Sequence, residues 1–393
     1  MPGGVVAPLA ASKVDQPVWG GPDSPDRDTG RLSGATLLMR LGTIEAMLSE
    51  VSTPVEGICA AKLLQCDELA ARRGYVGPRG RSWIQGDVRY RLVRGERWER
   101  PETETFDEFI VGHLKYVLGP EWGKRQVALP REKQHVVVRW MFDAAEYHRT
   151  LLPAGHRDGD LFNVPPSGSA MEMLSLADDV YRLSLIERLP TRVLKRLRAP
   201  GSFQGMRYEL SLAAAFTRAG FTVDWLDETS TKHGEFTISF GGKDPVLVEA
   251  KSRHRPGTMH QPGLQTDHAE MRADVIGLYA RALKKETKGL PFLICIDVNL
   301  PHREEERNRM PSWAEHVRPL LDERPPTQET PAKEFCLAFT NLNWHYSSHR
   351  RASGGSWIYT FPTWTQCAPR EPDTYVGILQ AFDHQTKRPE GPF

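Results

Sequence analysis

The sequence contains no apolar run that could cross a membrane: none approaches the roughly 18 consecutive apolar residues that a transmembrane helix needs. Its first residues, MPGGVVAPLAASK, lack the basic start and the long apolar segment of a secretory signal. These two absences predict a cytoplasmic protein that does not contact a membrane.

Cysteine is also scarce. The chain has 5 cysteines, an odd number, and they are scattered along the sequence. Cys295 and Cys336 lie in apolar, strand-like runs, which is typical of reduced thiols in a core. The pattern therefore predicts neither disulfide bonds nor a structural zinc site.

No excess of one charge is present, since 51 Lys and Arg residues face 50 Asp and Glu residues and the formal net charge is +1. A protein that coats nucleic acid through bulk positive charge is therefore excluded. A basic groove confined to one part of the surface is not excluded, so any nucleic-acid site must be sought locally.

The composition, with 39% apolar residues in 393, is that of a globular chain of two or three domains. Residues 1–33 are rich in Gly, Pro and Asp and are expected to form a flexible tail. Apolar residues at helical spacing predict a mostly helical N-terminal domain over 34–198, with helices at 55–73, 131–151 and 170–198. Within it, the Arg-rich segment 76–101 is broken by Gly and Pro and is either a short hairpin or an ordered loop.

A basic run that ends in Pro and Gly, residues 191–203, predicts a domain boundary, and a second domain is expected over 201–365. The last residues, 366–393, are expected to be a C-terminal extension. The patterns of the second domain predict, in order, a helix at 205–219, strands at 221–226, 234–240 and 245–252, a helix at 267–287 and a strand at 291–299. The runs 334–342 and 356–362 could extend the sheet. The predicted order is αβββαβ.

One predicted strand, Val246–Ser252, contains an acid and a base. Because side chains alternate along a strand, Glu249 and Lys251 project from the same face. Such groups are costly to bury unless they are paired or bind a metal. A plain ion pair on a solvated face is the alternative, as expected for the second acid-x-Lys triplet, Glu286-Thr287-Lys288, at a helix end.

Two further acids could join this pair. Glu235 opens the preceding strand, so a hairpin would place its carboxylate near that of Glu249, where two acids repel each other unless a cation joins them. Glu209 lies on a helix stripe with apolar residues three, four and seven positions later, so it needs a partner. That partner is either this site or simply Arg207 or Arg218.

The segments that complete the pattern are Gly205-x-x-Tyr208-Glu209-Leu210, Gly220-Phe221-x-Val223, Gly234-Glu235-Phe236 and Val248-Glu249-Ala250-Lys251. Together they resemble the PD-(D/E)XK nuclease superfamily, whose restriction-endonuclease-like fold has a mixed sheet, over about residues 201–300. The resemblance implies that Glu235, Glu249, Lys251 and the accessory acid Glu209 are catalytic. It also implies Mg²⁺ or Mn²⁺ bound by Glu235, Glu249 and the backbone carbonyl of Ala250.

This chain departs from the family at one position. The family usually has Asp, often after Pro, where this chain has Gly234-Glu235. Asp224 or Asp227 is the alternative first acid.

Basic residues follow the strand. Arg253 and Arg255 are placed where they could contact phosphates beside the scissile bond, although a merely solvated basic loop is the alternative. Three histidines, His254, His260 and His268, match no recognised zinc-ligand spacing. His345, His349, Arg350 and Arg351 are expected in a hairpin tip that is a solvated loop, although its basic charge could touch the duplex.

The sequence therefore predicts a metal-dependent endonuclease that hydrolyses nucleic acid, with double-stranded DNA as the expected substrate. The resemblance suggests a setting such as restriction or defence. The N-terminal helical domain would supply recognition, a homodimer contact or a partner-protein contact. The alternative is a catalytically inactive protein that keeps the nuclease fold as a platform for binding nucleic acid or protein.

Overall fold

A computed structural model of the chain describes residues 77–78, 80–151, 165–226, 233–253, 268–301, 312–322, 325–347, 355–358, 362 and 364–385. Its strands are β1 Arg81–Gln85, β2 Val88–Val93, β3 Glu96–Pro101, β4 Phe221–Trp225, β5 Phe236–Phe240, β6 Val246–Ser252, β7 Phe292–Asp297, β8 Cys336–Asn341 and β9 Gly355–Ile358. Its helices are α1 Phe106–Leu118, α2 Pro120–Val127, α3 Val136–Leu151, α4 Gly168–Ser184, α5 Thr191–Arg198, α6 Pro200–Arg218, α7 His268–Ala282, α8 Ser312–Asp322 and α9 Pro372–Gln385. The tail predicted at 1–33 and the helix predicted at 55–73 lie outside the described residues.

The Arg-rich segment after residue 80 forms an antiparallel three-stranded sheet, β1-β2-β3, rather than a single hairpin or a loop. Two-residue turns join the strands. Gly86 has a φ of 65°, and Arg94 and Gly95 have φ values of 52° and 77°. Positive φ at such positions matches the right-handed twist of hairpin strands. The glycines that we interpreted as breaks in regular structure lie in the turns that connect the three strands.

The helix predicted at 170–198 is wrong as a single element, because the chain forms α4 and α5 with a break between them. Pro190 lies at the break, with φ −55° and ψ 142°, directly before α5. Proline has no backbone N–H to donate and disfavours helical backbone in the preceding residue, so one continuous helix cannot pass through it.

Helix α6 begins at Pro200, within the segment predicted to be a domain boundary. Proline is well tolerated at the first helical position, since the N–H that it lacks would have no partner there. Helices α4, α5 and α9 all pack against α6. One buried apolar cluster contains Phe109 and Val180 together with Phe216 and Val248. Packing is therefore continuous across residue 200, and a division into two domains stays a prediction.

The larger sheet has six strands in the order β4-β5-β6-β7-β8-β9. Strands β4, β5 and β6 pair antiparallel, β6, β7 and β8 pair parallel, and β9 returns antiparallel. The described part of the chain is thus a mixed α/β structure. The predicted order of helix, three strands, helix and strand is present from Pro200 to Asp297.

Helices cover both faces of this sheet. Helix α6 covers the face that contains Val248, and α7 covers the face that contains Leu247 and Ile294. The thiols of Cys295 and Cys336 are buried in neighbouring strands and are not disulfide-bonded, as the sequence predicts.

The C-terminal extension contains a core helix, which the sequence analysis did not predict. Ile378 and Phe382 of α9 are buried, and the Phe382 ring contacts the ring of Phe216 on α6 with centroids 6.0 Å apart. In the described part of the chain, no helix combines the length and apolarity needed to span a bilayer.

Candidate active site

Strand pairing brings Glu235 beside Glu249. Phe236, the first residue of β5, pairs with Val248 on β6. The backbone N–H of Glu235 donates a hydrogen bond of 2.9 Å to the carbonyl of Val248, so Glu235 lies next to the C-terminal half of β6. The hairpin on which the predicted proximity depends is therefore present.

Three oxygen atoms converge on the amine of Lys251. Its Nζ lies 3.5 Å from Oε1 of Glu235 and 3.4 Å from the carbonyl oxygen of Ala250, and it directly contacts Oε1 of Glu249. The Glu249 side chain is fully buried, whereas those of Glu235 and Lys251 are 20% and 19% exposed. The donors predicted to bind a metal thus surround one point at the edge of solvent.

The buried carboxylate of Glu249 has an unusual environment. Among the described residues, neither of its oxygens accepts a hydrogen bond of normal geometry. Its ionic contacts, to Lys251 and to Nζ of Lys285 at 3.6 Å, are both made by Oε1. Burial raises the pKa of Glu249 to about 7, although Lys251 opposes this shift and Glu235 adds to it.

Glu209 extends the site from α6. Its two carboxylate oxygens accept hydrogen bonds from the guanidinium of Arg196 at 2.7 and 2.8 Å. Burial raises the pKa of Glu209 to about 8, with a further contribution from the charge of Glu235, while Arg196 and Lys251 act in the opposite direction. The charges of Glu235 and Lys251 thus both act on the Glu209 carboxylate.

The prediction that Glu209 pairs with Arg207 or Arg218 is wrong. Arg207 donates to Asp179 at 2.8 Å, and Arg218 donates to Asp178 at 2.6 Å. Both arginines therefore tie α6 to α4. Arg196, on the neighbouring helix α5, binds Glu209 instead.

The alternative first acid receives no support. Asp224 is exposed on the edge strand β4, and within the described ranges no contact joins it to Glu249 or Lys251. Asp227 lies outside the described residues. Glu235 is therefore the acid that the structure brings to the pair on β6.

Arg253 is not placed as predicted. Its side chain is 1% exposed, and its Nε donates to Asp274 of α7 at 2.6 Å. A side chain buried in this way does not present its charge to a phosphate. The prediction that Arg253 contacts a phosphate is therefore corrected. Arg255, His254 and His260 lie outside the described residues, as does the side chain of His268.

A second polar cluster lies at the carboxyl ends of the parallel strands. Asp297 accepts hydrogen bonds from the Leu342 N–H at 2.9 Å and the Thr340 hydroxyl at 3.2 Å. The His345 side chain, expected in a solvated tip, is only 4% exposed, and its ring nitrogens lie 3.0 Å from Glu172 and 3.0 Å from Asn299. The expectation that His345 is solvated is wrong, because its side chain continues this network from the sheet to α4, whereas His349, Arg350 and Arg351 lie outside the described residues.

Sequence reasoning missed two residues of the site, Arg196 and Lys285. Each reaches its carboxylate from an element distant in sequence, and each belongs to a basic run that reads as solvated surface. No spacing rule separates one such residue from its neighbours. By contrast, Glu286 and Lys288 of the second acid-x-Lys triplet are exposed, as predicted.

In the described part of the chain, the oxygen donors around Lys251 include only two carboxylates. Among the described residues, no group of three or more His, Cys, Asp or Glu side chains is arranged to hold a metal ion. The set implied by the resemblance is different, because it combines two carboxylates with the Ala250 carbonyl. Such all-oxygen donors suit Mg²⁺ or Mn²⁺, which retain several water ligands. The residues present therefore fit such an ion.

Comparisons of the chain with protein-family models, with curated proteins and with solved structures find no match.

Proposed function

We propose that this protein is a metal-dependent phosphodiesterase, an endonuclease of the restriction-endonuclease-like type that hydrolyses nucleic acid, with double-stranded DNA as its substrate. One observation carries the proposal. The Glu235 carboxylate, the Glu249 carboxylate and the Ala250 carbonyl all lie around the amine of Lys251, and that amine occupies a point where a cation is favoured.

The chain's own residues have distinct parts in this proposal. Glu235, Glu249 and the carbonyl of Ala250 would bind Mg²⁺ or Mn²⁺. When bound, such an ion lowers the pKa of a coordinated water and neutralises charge on the scissile phosphate. Lys251 would leave the carboxylates and orient the attacking water or stabilise the charged transition state. Glu209, bound by Arg196, would act on Glu235 and Lys251 through its charge.

Plasmid cleavage tests the proposal. We expect the wild-type chain to nick or cut supercoiled plasmid with Mg²⁺ or Mn²⁺ but not with EDTA. Lys251→Ala should reduce the rate by about 10²-fold or more, as expected for loss of a charge that stabilises the transition state. The matched control is Lys288→Ala, from the exposed acid-x-Lys triplet.

Equal nicking by wild type and Lys251→Ala would reject this catalytic assignment. Absence of nicking by the wild type would instead point to the alternative, a catalytically inactive platform that binds nucleic acid or protein. The contact between Lys251 and Glu249 favours that alternative, since an ammonium can neutralise the buried acid without a metal. A platform would bind oligonucleotide equally well with EDTA and with Mn²⁺, and neither protein would cut it.

A further inference from the structure

Lys285 supplies a second ammonium group to the candidate site. Its side chain is 17% exposed, and its Nζ lies 3.6 Å from Oε1 of Glu249, the oxygen that Lys251 contacts. It comes from the turn that follows α7, not from the strands that supply the acid-x-Lys motif.

The backbone around Lys285 is fixed in place. The N–H of Lys285 donates to the carbonyl of Ala282 at 3.0 Å. From the opposite side, the Lys333 amine donates to the carbonyl of Lys285 and, at 2.7 Å, to that of Leu283. The position of Lys285 is thus determined by the fold rather than by a flexible surface chain.

Among the described residues, the acids of this cluster face basic groups. The carboxylates of Glu235 and Glu249 face the ammonium groups of Lys251 and Lys285, while Glu209 is matched by Arg196. Glu235 and Glu249 would hold a divalent cation, whose two positive charges would weaken the attraction of both ammonium groups to Glu249. The added positive charge would favour binding of a phosphodiester.

We infer that Lys285 is a phosphate-binding residue, released from Glu249 when the cation binds, so that metal and nucleic acid bind cooperatively. The inference rests on the proposed function. Reciprocity is a consequence: if the cation tightens nucleic-acid binding, the nucleic acid tightens cation binding by the same factor.

Fluorescence anisotropy with a labelled DNA duplex measures this coupling in the full chain. Affinity is compared in EDTA and in millimolar Ca²⁺, a cation that also takes oxygen ligands. We expect Ca²⁺ to tighten wild-type binding about tenfold or more, within the usual range of coupling between sites. Lys285→Met keeps the apolar stem and removes the charge, so it should lower the ratio of the affinity in Ca²⁺ to the affinity in EDTA by most of that factor.

Two further variants make the result specific. Lys285→Arg keeps the charge and should restore the coupling, whereas Lys284→Ala removes an exposed neighbouring charge and should behave as wild type. A lysine that only adds surface charge would weaken binding equally in EDTA and in Ca²⁺, and that result overturns the inference. Lys285→Gln repeats the measurement if Lys285→Met does not give the wild-type circular dichroism spectrum.

The inference and the proposed function can fail separately. If the wild type cuts plasmid but Lys285→Met keeps the full Ca²⁺ coupling, only the role of Lys285 is rejected. If the wild type neither cuts plasmid nor responds to Ca²⁺ in DNA binding, both are rejected.

Discussion

Glu249 is the residue on which the candidate site depends. A carboxylate removed from water costs several kcal/mol unless charges or hydrogen bonds compensate, and this one has two lysine amines but no normal hydrogen bond among the described residues. A purely structural acid would be expected to accept hydrogen bonds from its surroundings. The environment of Glu249 therefore suits a group that exchanges one cationic partner for another.

Side-chain alternation along β6 was enough to place Glu249 and Lys251 on one face, and their contact confirms that part of the prediction. Alternation contains no information about residues from other elements. The contacts of Arg196 with Glu209 and of Lys285 with Glu249 depend on how α5 and the turn after α7 pack. They could not be predicted from a single sequence.

Asp297 should make stability depend on pH. Burial raises its pKa from 3.8 to about 7 in the folded chain. The protonated form is therefore favoured by folding: the stabilising contribution is complete below the unfolded value and is lost as the pH rises through about 7. Asp297→Asn keeps the shape and an acceptor for the Leu342 N–H. In wild type the free energy of unfolding should fall between acidic and neutral pH, and in Asp297→Asn this fall should be smaller by about 2–4 kcal/mol.

Urea unfolding at a series of pH values measures the slope of the unfolding free energy against pH. The control is Asp87→Asn, which changes an exposed turn residue and should leave the slope as in wild type. An unchanged slope in Asp297→Asn would mean that the carboxylate is charged in the folded chain.

At the scale of elements, proline and glycine correctly marked changes of chain direction but did not mark a domain boundary. The Pro200-Gly201 pair was interpreted as a boundary, yet Pro200 begins α6, the helix against which α4, α5 and α9 pack. Proline and glycine mark a change of direction in the chain. They do not show whether packing continues across that change, because this depends on the faces that later elements bury.

The start of α4 packs so closely against the turn at Trp344–Tyr346 that a side chain added there should destabilise the protein. A Cβ added to Gly168, the first residue of α4, would lie 1.7 Å from the backbone oxygen of Ser347 and 2.2 Å from that of Trp344. Backbone atoms cannot move aside without shifting the helix, so Gly168→Ala should destabilise the protein by about 1–3 kcal/mol.

Thermal unfolding of a matched variant separates this clash from helix propensity. Gly112, inside α1, has nothing within 4 Å of an added Cβ. Gly112→Ala should stabilise the protein by about 0.5–1 kcal/mol because alanine loses less backbone entropy on folding. Equal changes in the unfolding temperature of both variants would mean that the close approach at α4 is not made in solution.

At the scale of the whole molecule, α6 joins the two halves of the chain. Its apolar residues belong to a core that contains residues from α1 and α4 as well as from the larger sheet. Its arginines Arg207 and Arg218, 5% and 10% exposed, are paired with acids on α4. Charged and apolar contacts both cross the predicted boundary, so separation would expose both kinds of group.

A fragment of residues 200–393 should therefore fail to form a fixed tertiary structure. Removal of α4 exposes apolar surface on α6 and leaves Arg207 and Arg218 without Asp178 and Asp179. Near-ultraviolet circular dichroism and urea unfolding measure the effect, with a fragment of residues 77–393 as the matched control. Cooperative unfolding of the shorter fragment would instead establish an independent second domain, as the sequence predicts.

The sequence by itself determined the order of elements from Pro200 to Asp297, the buried thiols, and the shared face of Glu249 and Lys251, because these follow from local periodicity. Tertiary structure alone decided that Arg196 and Lys285 reach the acids, that the side chains of Arg253 and His345 are 1% and 4% exposed, and that α9 completes the core. The reason is physical: such contacts join residues far apart in sequence, and their geometry is set by the packing of elements.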